Sequence, residues 1–242
     1  MTKKVSTGSY ELNKFLFGGY ESDIITTIYG PGGSGKSNLS IIAAVSQAKK
    51  QNKTIFIDTE GGFSTDRFRQ IHNGEPNQVK HDLQNVLLLK PTSFSEQEKA
   101  FNQMLKHIKN ETISLVIIDS IAMLYRLELG TAIETENQTE IQKINRNLAN
   151  QLRILNEIAR KQNIPIIITN QVYSQFQKEN EVEKRVSMVG GDLLKYWSKC
   201  LIELKNPQGR RILKLIKHRS LPEKEIIFEI IGRGVRKKGL FS

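Results

Sequence analysis

Gly30-Pro31-Gly32-Gly33-Ser34-Gly35-Lys36-Ser37 is the stretch whose reading decides the fold. It fits the spacing G-x-x-x-x-G-K-[S/T], and each position has a chemical reason. Glycines let successive backbone N–H groups turn inward around a β-phosphate, and a helix opening at the lysine presents its positive end there. Lys36 would reach the β- and γ-phosphate oxygens, and the Ser37 hydroxyl would ligate Mg²⁺. Gly30, Gly32, Gly33, Ser34, Gly35 and the adjoining Asn38 complete the expected cradle. The flanks agree, because the apolar run Ile24–Tyr29 precedes it and Leu39, Ile41, Ile42 and Val45 give the next segment an apolar helical face. The expected ligand is a nucleoside triphosphate with Mg²⁺.

Outward from this turn, short β-branched runs alternate with longer helical patterns. Strands are expected at Ile24–Tyr29, Thr54–Asp58, Val86–Leu89, Ile113–Asp119 and Ile164–Asn170. Helices are expected at Lys36–Lys50, Thr65–His72, Glu96–Lys109 and Glu136–Lys161, the last carrying Ile141, Ile144, Leu148, Leu152, Leu155 and Ile158 as one stripe. Runs that are apolar throughout, such as Leu115–Ile118, fit parallel strands covered on both faces. Residues 173–191 are polar, lack a clean period and read as a long loop. Ser198–Leu204, Arg210–Ile216 and Glu225–Ile231 then read as a hairpin-like continuation of the sheet. The expected organisation is one domain over 1–242: a lead-in at 1–22, a nucleotide-binding core at 23–172, the loop, and a sheet extension with a basic tail at 192–242.

A triphosphate site needs a carboxylate at a neighbouring strand end to order the metal. Asp119 closes the run Leu115-Val116-Ile117-Ile118 and fits, although such an acid also commonly caps a helix. Hydrolysis further needs a base for the attacking water. Glu60 stands at a strand end before Gly61-Gly62, and Asp58 competes with it.

The 242 residues carry 36 Lys and Arg against 25 Asp and Glu, a net charge of +11. That excess favours polyanions, nucleic acid first, with a merely solvated basic surface as the alternative. Nothing resembles a secretory signal, and no run of roughly 18 apolar residues exists, so a cytoplasmic protein without membrane contact is expected. The one cysteine, Cys200, lies in an apolar stretch and reads as a small packed hydrophobe.

These pieces together resemble the RecA/RadA recombinase family. The likeness rests on Ser6-Thr7-Gly8-Ser9-Tyr10-Glu11-Leu12, Gly18-Gly19, the glycine turn, Phe56-Ile57-Asp58-Thr59-Glu60-Gly61-Gly62-Phe63, Ile118-Asp119-Ser120, Ile168-Thr169-Asn170-Gln171-Val172 and Gly190-Gly191, in the family's order from Val5 to about Val235. Within it the chain is most similar to short archaeal paralogues that lack a helical amino-terminal domain. The resemblance implies a RecA-like P-loop NTPase core: α/β, a mostly parallel central sheet flanked by helices, with antiparallel strands at the carboxy-terminal edge. It implies ATP and Mg²⁺ as cofactors, with Ser37 and Asp119 on the metal and catalysis by Lys36, Glu60 and Gln171. Glu60 would activate water, Gln171 would sense the γ-phosphate, and Arg67 would stack on the adenine. Residues 173–189 and about 127–134 would be two DNA-facing loops.

The departures shape the expected function. No Phe here is followed three residues later by Ala, the pattern by which family members dock into a neighbour, so a helical filament is not implied. Glu128 and Glu134 give the first loop two acids, while the second has Lys178, Lys184 and Arg185 among Glu179, Glu181 and Glu183. Lys217, Arg219, Arg236, Lys237 and Lys238 add further candidate contacts to DNA phosphates, with Lys217 or Arg219 alternatively near a neighbouring subunit's γ-phosphate. The expectation is a weak ATPase that binds single-stranded or branched DNA at the nucleoid. It would assist a RadA-type recombinase or a junction nuclease rather than exchange strands efficiently. The alternative is a KaiC-like ATPase or signalling kinase, against which Thr59-Glu60 stands where that group has paired glutamates.

Overall fold

A computed structural model describes residues 3–174, 186–188 and 190–239. A lead-in of β1 (Lys4–Val5), α1 (Tyr10–Phe15) and β2 (Tyr20–Glu21) runs into β3 (Ile25–Gly30) and α2 (Lys36–Ala48). Then come β4 (Lys53–Asp58), α3 (Thr65–His72), α4 (Pro76–Leu83), β5 (Val86–Leu89), α5 (Phe94–Asn110) and β6 (Ile113–Asp119). The second half contains α6 (Met123–Glu134), α7 (Gln138–Gln162), β7 (Ile166–Ser174), β8 (Val186–Met188), α8 (Gly191–Trp197) and β9 (Cys200–Lys205). The hairpins β10 (Arg211–His218), β11 (Lys224–Ile231) and β12 (Gly234–Lys237) close the chain.

The main sheet is 10-stranded, in the order β12-β11-β10-β9-β3-β7-β6-β4-β5, with β8 added to β7. From β9 to β5 every neighbour is parallel, and from β9 to β12 every neighbour is antiparallel. The apolar runs are explained by burial on both faces. In β6, Leu115 and Ile117 join one core while Val116 and Ile118 join the other, and Phe56 is split from Ile55 and Ile57 in the same way. One core packs α1 to α4 against the sheet, and the other packs α5 to α8 on the opposite face. The α7 stripe is buried from Ile144 to Ile158, with Asn137 capping the helix by accepting from the Glu140 amide. Helix α7 starts later than expected because Glu136 has φ 52°, a conformation no right-handed helix contains.

Three readings need correction. The segment 127–134, expected as a DNA-facing loop, is the body of helix α6. Leu124, Tyr125 and Ala132 bury one side of it, and the Tyr125 hydroxyl donates to Asn145 Oδ1 on α7 at 2.7 Å. Its pattern was masked because Leu127 and Ile133 are 62% and 55% exposed, and Gly130 lies inside the helix. The expected loop 173–191 includes strand and helix residues, since Tyr173 and Ser174 of β7 pair with Ser187 and Val186 of β8, and α8 starts at Gly191. Finally, Arg236 and Lys237 belong to β12, an edge strand paired with β11, rather than to a tail. Lys178, Lys184 and Arg185 lie outside the described residues. Cys200 is buried, with its pKa pushed up to about 12, chiefly by burial.

Candidate functional site

The β3–α2 turn sits at the carboxyl end of the parallel strands, between β9 and β7. Gly30 is required by crowding, because a Cβ there would lie 2.3 Å from the Leu204 carbonyl oxygen on β9. Gly33 and Gly35 take φ of 69° and 112°, which turns the backbone through a region open mainly to glycine. A Cβ on Gly32 or Gly33 would meet nothing within 4 Å, so the inner wall of the turn is open. Lys36 is 6% exposed, and its Nζ donates to the carbonyls of Gly30 and Pro31 at 3.0 and 2.9 Å. Burial lowers its pKa, while Glu60 and Asp119 pull the other way. The ammonium is thus anchored over the turn.

The acids separate by role. Asp58 is 2% exposed, and its two oxygens accept from the amides of Gly62 and Phe63 at 2.9 and 3.0 Å. It ties down the loop after β4 and is spent in doing so, which removes it as the competing base. Glu60, on that loop, accepts from Gln171 Nε2 through Oε2 at 2.9 Å, leaving Oε1 buried without a partner. Asp119 is 1% exposed and accepts from the Thr169 hydroxyl through Oδ1. Its Oδ2 has no partner in normal hydrogen-bond geometry, although Ser37 lies close enough to lower its pKa. Burial wins and raises it, with Glu60 and Asp58 adding like charge. Asp119 caps no helix, since α6 begins beyond Ala122. A Cβ on Gly62 would come within 2.9 Å of Ser37 Oγ and 3.4 Å of Asp119 Oδ2, so the loop carrying Glu60 closes directly over the serine–aspartate pair.

Arg67 is held in another way. Its amide is capped by Ser64 on α3, and its guanidinium donates to Asn38 Oδ1 at 2.8 Å and to the carbonyls of Ile231 and Gly232 at 2.9 Å. It fastens α2 to the β11–β12 turn, and Asn38 is part of the same clasp.

Of the expected DNA cations among the described residues, Lys217, Arg219 and Arg236 are engaged within the chain. Arg219 donates to Glu21 Oε2 at 2.7 Å and to both oxygens of Asp23 at 2.9 and 2.8 Å. Two carboxylates therefore neutralise it, and it locks the end of β10 to the lead-in. A DNA phosphate would have to compete with this pairing, since Nε and both terminal nitrogens of Arg219 already donate within the chain. Lys217 donates to the Lys195 carbonyl at 2.9 Å, and Arg236 pairs with Glu229 across β11 and β12. Lys237 and Lys238 are exposed.

Lys36, Ser37, Asn38, Glu60, Gln171 and Arg211 line one cleft of about 210 Å³ with the turn's glycines. From the sequence, Arg211 is expected only as part of the strand Arg210–Ile216; no spacing in the sequence could bring it here, because its strand returns antiparallel from β9. Thr169 was also missed as the partner of Asp119, though a polar residue two places before Gln171 at a buried strand end was the available signal.

A glycine cradle closing a parallel strand, with Lys36, Ser37 and a strand-end Asp119, defines a P-loop protein with a RecA-like core. The family model described as Rad51 matches residues 2–238, and the chain belongs to the Rad51 family. It is 36% identical over 241 residues to the DNA repair and recombination protein RadB of Methanobrevibacter smithii, covering 96% of this chain and 95% of that one. It is 38% identical to the RadB of Methanocaldococcus jannaschii, covering 93% and 98% of the two chains. The RadB of Methanococcoides burtonii is 39% identical, with 93% and 94% covered. Proteins of the RecA/Rad51 kind bind ATP with Mg²⁺ and are ATPases. The residues here fit such a group. Ser34 Oγ, Glu60 Oε1 and Asp119 Oδ2 are buried oxygens without partners around an open cradle, as a site built for a metal and phosphates requires. No helix among the described residues is long and apolar enough to cross a membrane.

Proposed function

We propose that this chain is an ATP- and Mg²⁺-dependent, DNA-binding accessory protein of homologous recombination and repair, with slow hydrolysis and no efficient strand exchange of its own. Magnesium, when bound, would supply positive charge that offsets the charge developing on the phosphates. Ser37 Oγ and Asp119 Oδ2 are the oxygens that would hold it. Lys36 swings from the carbonyls of Gly30 and Pro31 onto the β- and γ-phosphates, a short move for a side chain already over the turn. Glu60 Oε1 accepts a proton from the attacking water. That water's oxygen bonds to the γ-phosphorus as the bond to the β–γ bridging oxygen breaks, giving ADP and inorganic phosphate.

One observation carries this reading beyond a simple nucleotide binder, namely the Gln171–Glu60 hydrogen bond. Gln171 lies on β7, whose far end pairs with β8 and leads into the stretch proposed to face DNA. A change at the γ-phosphate that moves Glu60 therefore pulls on a strand continuous with that stretch. DNA, single-stranded or branched, would be held by phosphate contacts without sequence preference, in the cytoplasm at the nucleoid. The names of the relatives support recombination as the setting, and a RadA-type recombinase or a junction nuclease is the proposed partner.

The test is capture of a RadA-type recombinase by wild type and Lys36→Ala, with and without ATP and Mg²⁺, alongside retention on single-stranded DNA. Capture that needs nucleotide and is lost in Lys36→Ala is expected. Absence of capture under every condition would overturn the accessory role.

A further inference from the structure

Arg211 opens β10, the first antiparallel strand beyond β9, and it lines the same cleft as Lys36, Glu60 and Gln171. The other cations of β10 have partners: Lys214 lies 3.7 Å from Glu223, and Lys217 donates to a carbonyl. Arg211 differs. Its Nε is buried, and among the described residues it has no hydrogen-bond partner. A buried guanidinium nitrogen left unpaired is unfavourable unless something outside the chain completes it.

The position says what that partner is. Arg211 is paired in register with Phe228 on β11, and the Phe228 ring stands 3.8 Å from where a Cβ on Gly35 would be. Its strand therefore runs alongside the start of α2, where the turn's amides point at phosphate. The cleft also has a charge deficit. A triphosphate with its magnesium stays anionic, Glu60 and Asp119 add negative charge, and Lys36 is the lone lysine among the residues lining it. A planar guanidinium with several donors suits phosphate oxygens better than any other side chain.

We infer that Arg211 binds the phosphate tail of ATP held in the same chain, as a second cation opposite Lys36. This rests on the nucleotide-site reading above and adds a residue to it. It also links the carboxy-terminal strands to nucleotide occupancy, because a bound triphosphate draws the start of β10 toward α2.

The experiment measures binding of a fluorescent ATP analogue, at millimolar Mg²⁺, to wild type, Arg211→Ala and Arg211→Lys, with the thermal midpoint of each unliganded protein. Arg211→Ala should lose about 10- to 100-fold in affinity, the worth of a charge-assisted hydrogen bond. Arg211→Lys should recover part of that loss, and the unliganded midpoint of neither variant should fall below that of wild type. Affinity of Arg211→Ala within about twofold of wild type, the scatter of an uninvolved surface site, would overturn the inference and leave the P-loop intact. A wild type that binds no nucleotide would instead sink the site itself.

Discussion

The β3–α2 turn and the β10–β12 strands both offer themselves as places to hold phosphate, one through glycines and a single lysine, the other through a crowd of cations. Their side chains are in opposite conditions. Around the turn, Ser34, Glu60 and Asp119 each keep a buried oxygen without a partner, and Arg211 keeps a buried nitrogen. On the outer strands, Lys214, Arg219 and Arg236 are paired with acids. Binding capacity follows unmet valence rather than the number of charges. A net charge of +11 is the excess left after every acid is matched with a cation, and it does not say where on the molecule that excess lies.

The largest effect expected from this contrast is at Glu60. Glu60→Gln preserves the shape and the contact with Gln171 but removes the proton acceptor. Steady-state phosphate release should fall by about 100- to 10,000-fold, while ATP affinity by calorimetry stays near wild type. A large loss of affinity with unchanged turnover would mean that Glu60 belongs with the ion-paired residues and not with the reactive ones.

Arg219 tests the other side. Glu21 is 5% exposed, so Arg219→Ala strands a buried carboxylate, and Asp23 loses a bidentate partner. Part of this pair reaches solvent, which screens it, so a loss of about 2 to 3 kcal/mol is expected, read as a thermal midpoint lower by roughly 4–10 °C. DNA affinity should hardly change. The reverse pattern, an unchanged midpoint with weaker DNA binding, would make Arg219 a phosphate contact.

Asp119 is smaller in size and opposite in sign. Its carboxylate is disfavoured by burial and by Glu60 and Asp58, so its pKa in the folded protein lies above the unfolded value. The folded state is therefore favoured while Asp119 is protonated, and that advantage is lost as pH rises through the raised pKa. At neutral pH Asp119→Asn should stabilise the nucleotide-free protein by about 1 kcal/mol, the common gain on relieving a functional site. The gain should shrink as pH falls toward the ordinary carboxylate range, and Mg²⁺-dependent ATP binding should be lost. Loss of both stability and binding would make Asp119 an ordinary structural acid.

Sequence reading reached the turn, the positions of the core strands along the chain and the acids at their ends, for a physical reason. Parallel strands buried on both faces must be apolar until they end, so an acid such as Asp119 or a polar residue such as Gln171 marks the sheet's working edge by itself. It failed where a pattern depends on partners far along the chain. Helix α6 hid because its exposed side carries Leu127 and Ile133. The fate of Arg219 depends on Glu21 and Asp23, nearly two hundred residues away, as its bonds show. Arg211 was legible as a cation but not as a wall of the cleft, because only the antiparallel return of β10 beside β9 brings it there.

The smallest effect is expected at Lys237 and Lys238, two exposed cations of the outer strands. Lys237 ends the edge strand β12 and Lys238 follows it, on the side of the sheet with no further strand. Phosphates met there would be bound by point charge alone, so each lysine contributes mainly by releasing a counterion. The double change Lys237→Gln and Lys238→Gln should weaken single-stranded DNA binding only several-fold, but it should lower the slope of log affinity against log salt by about 1.4. Arg236→Gln alone, whose charge is already shared with Glu229, should lower that slope by clearly less than one lysine does. Equal slopes for all variants and wild type would place DNA elsewhere on the molecule, and a loss of about 0.7 at Arg236, the same as one lysine, would show that a cross-strand ion pair does not withhold a cation from DNA after all.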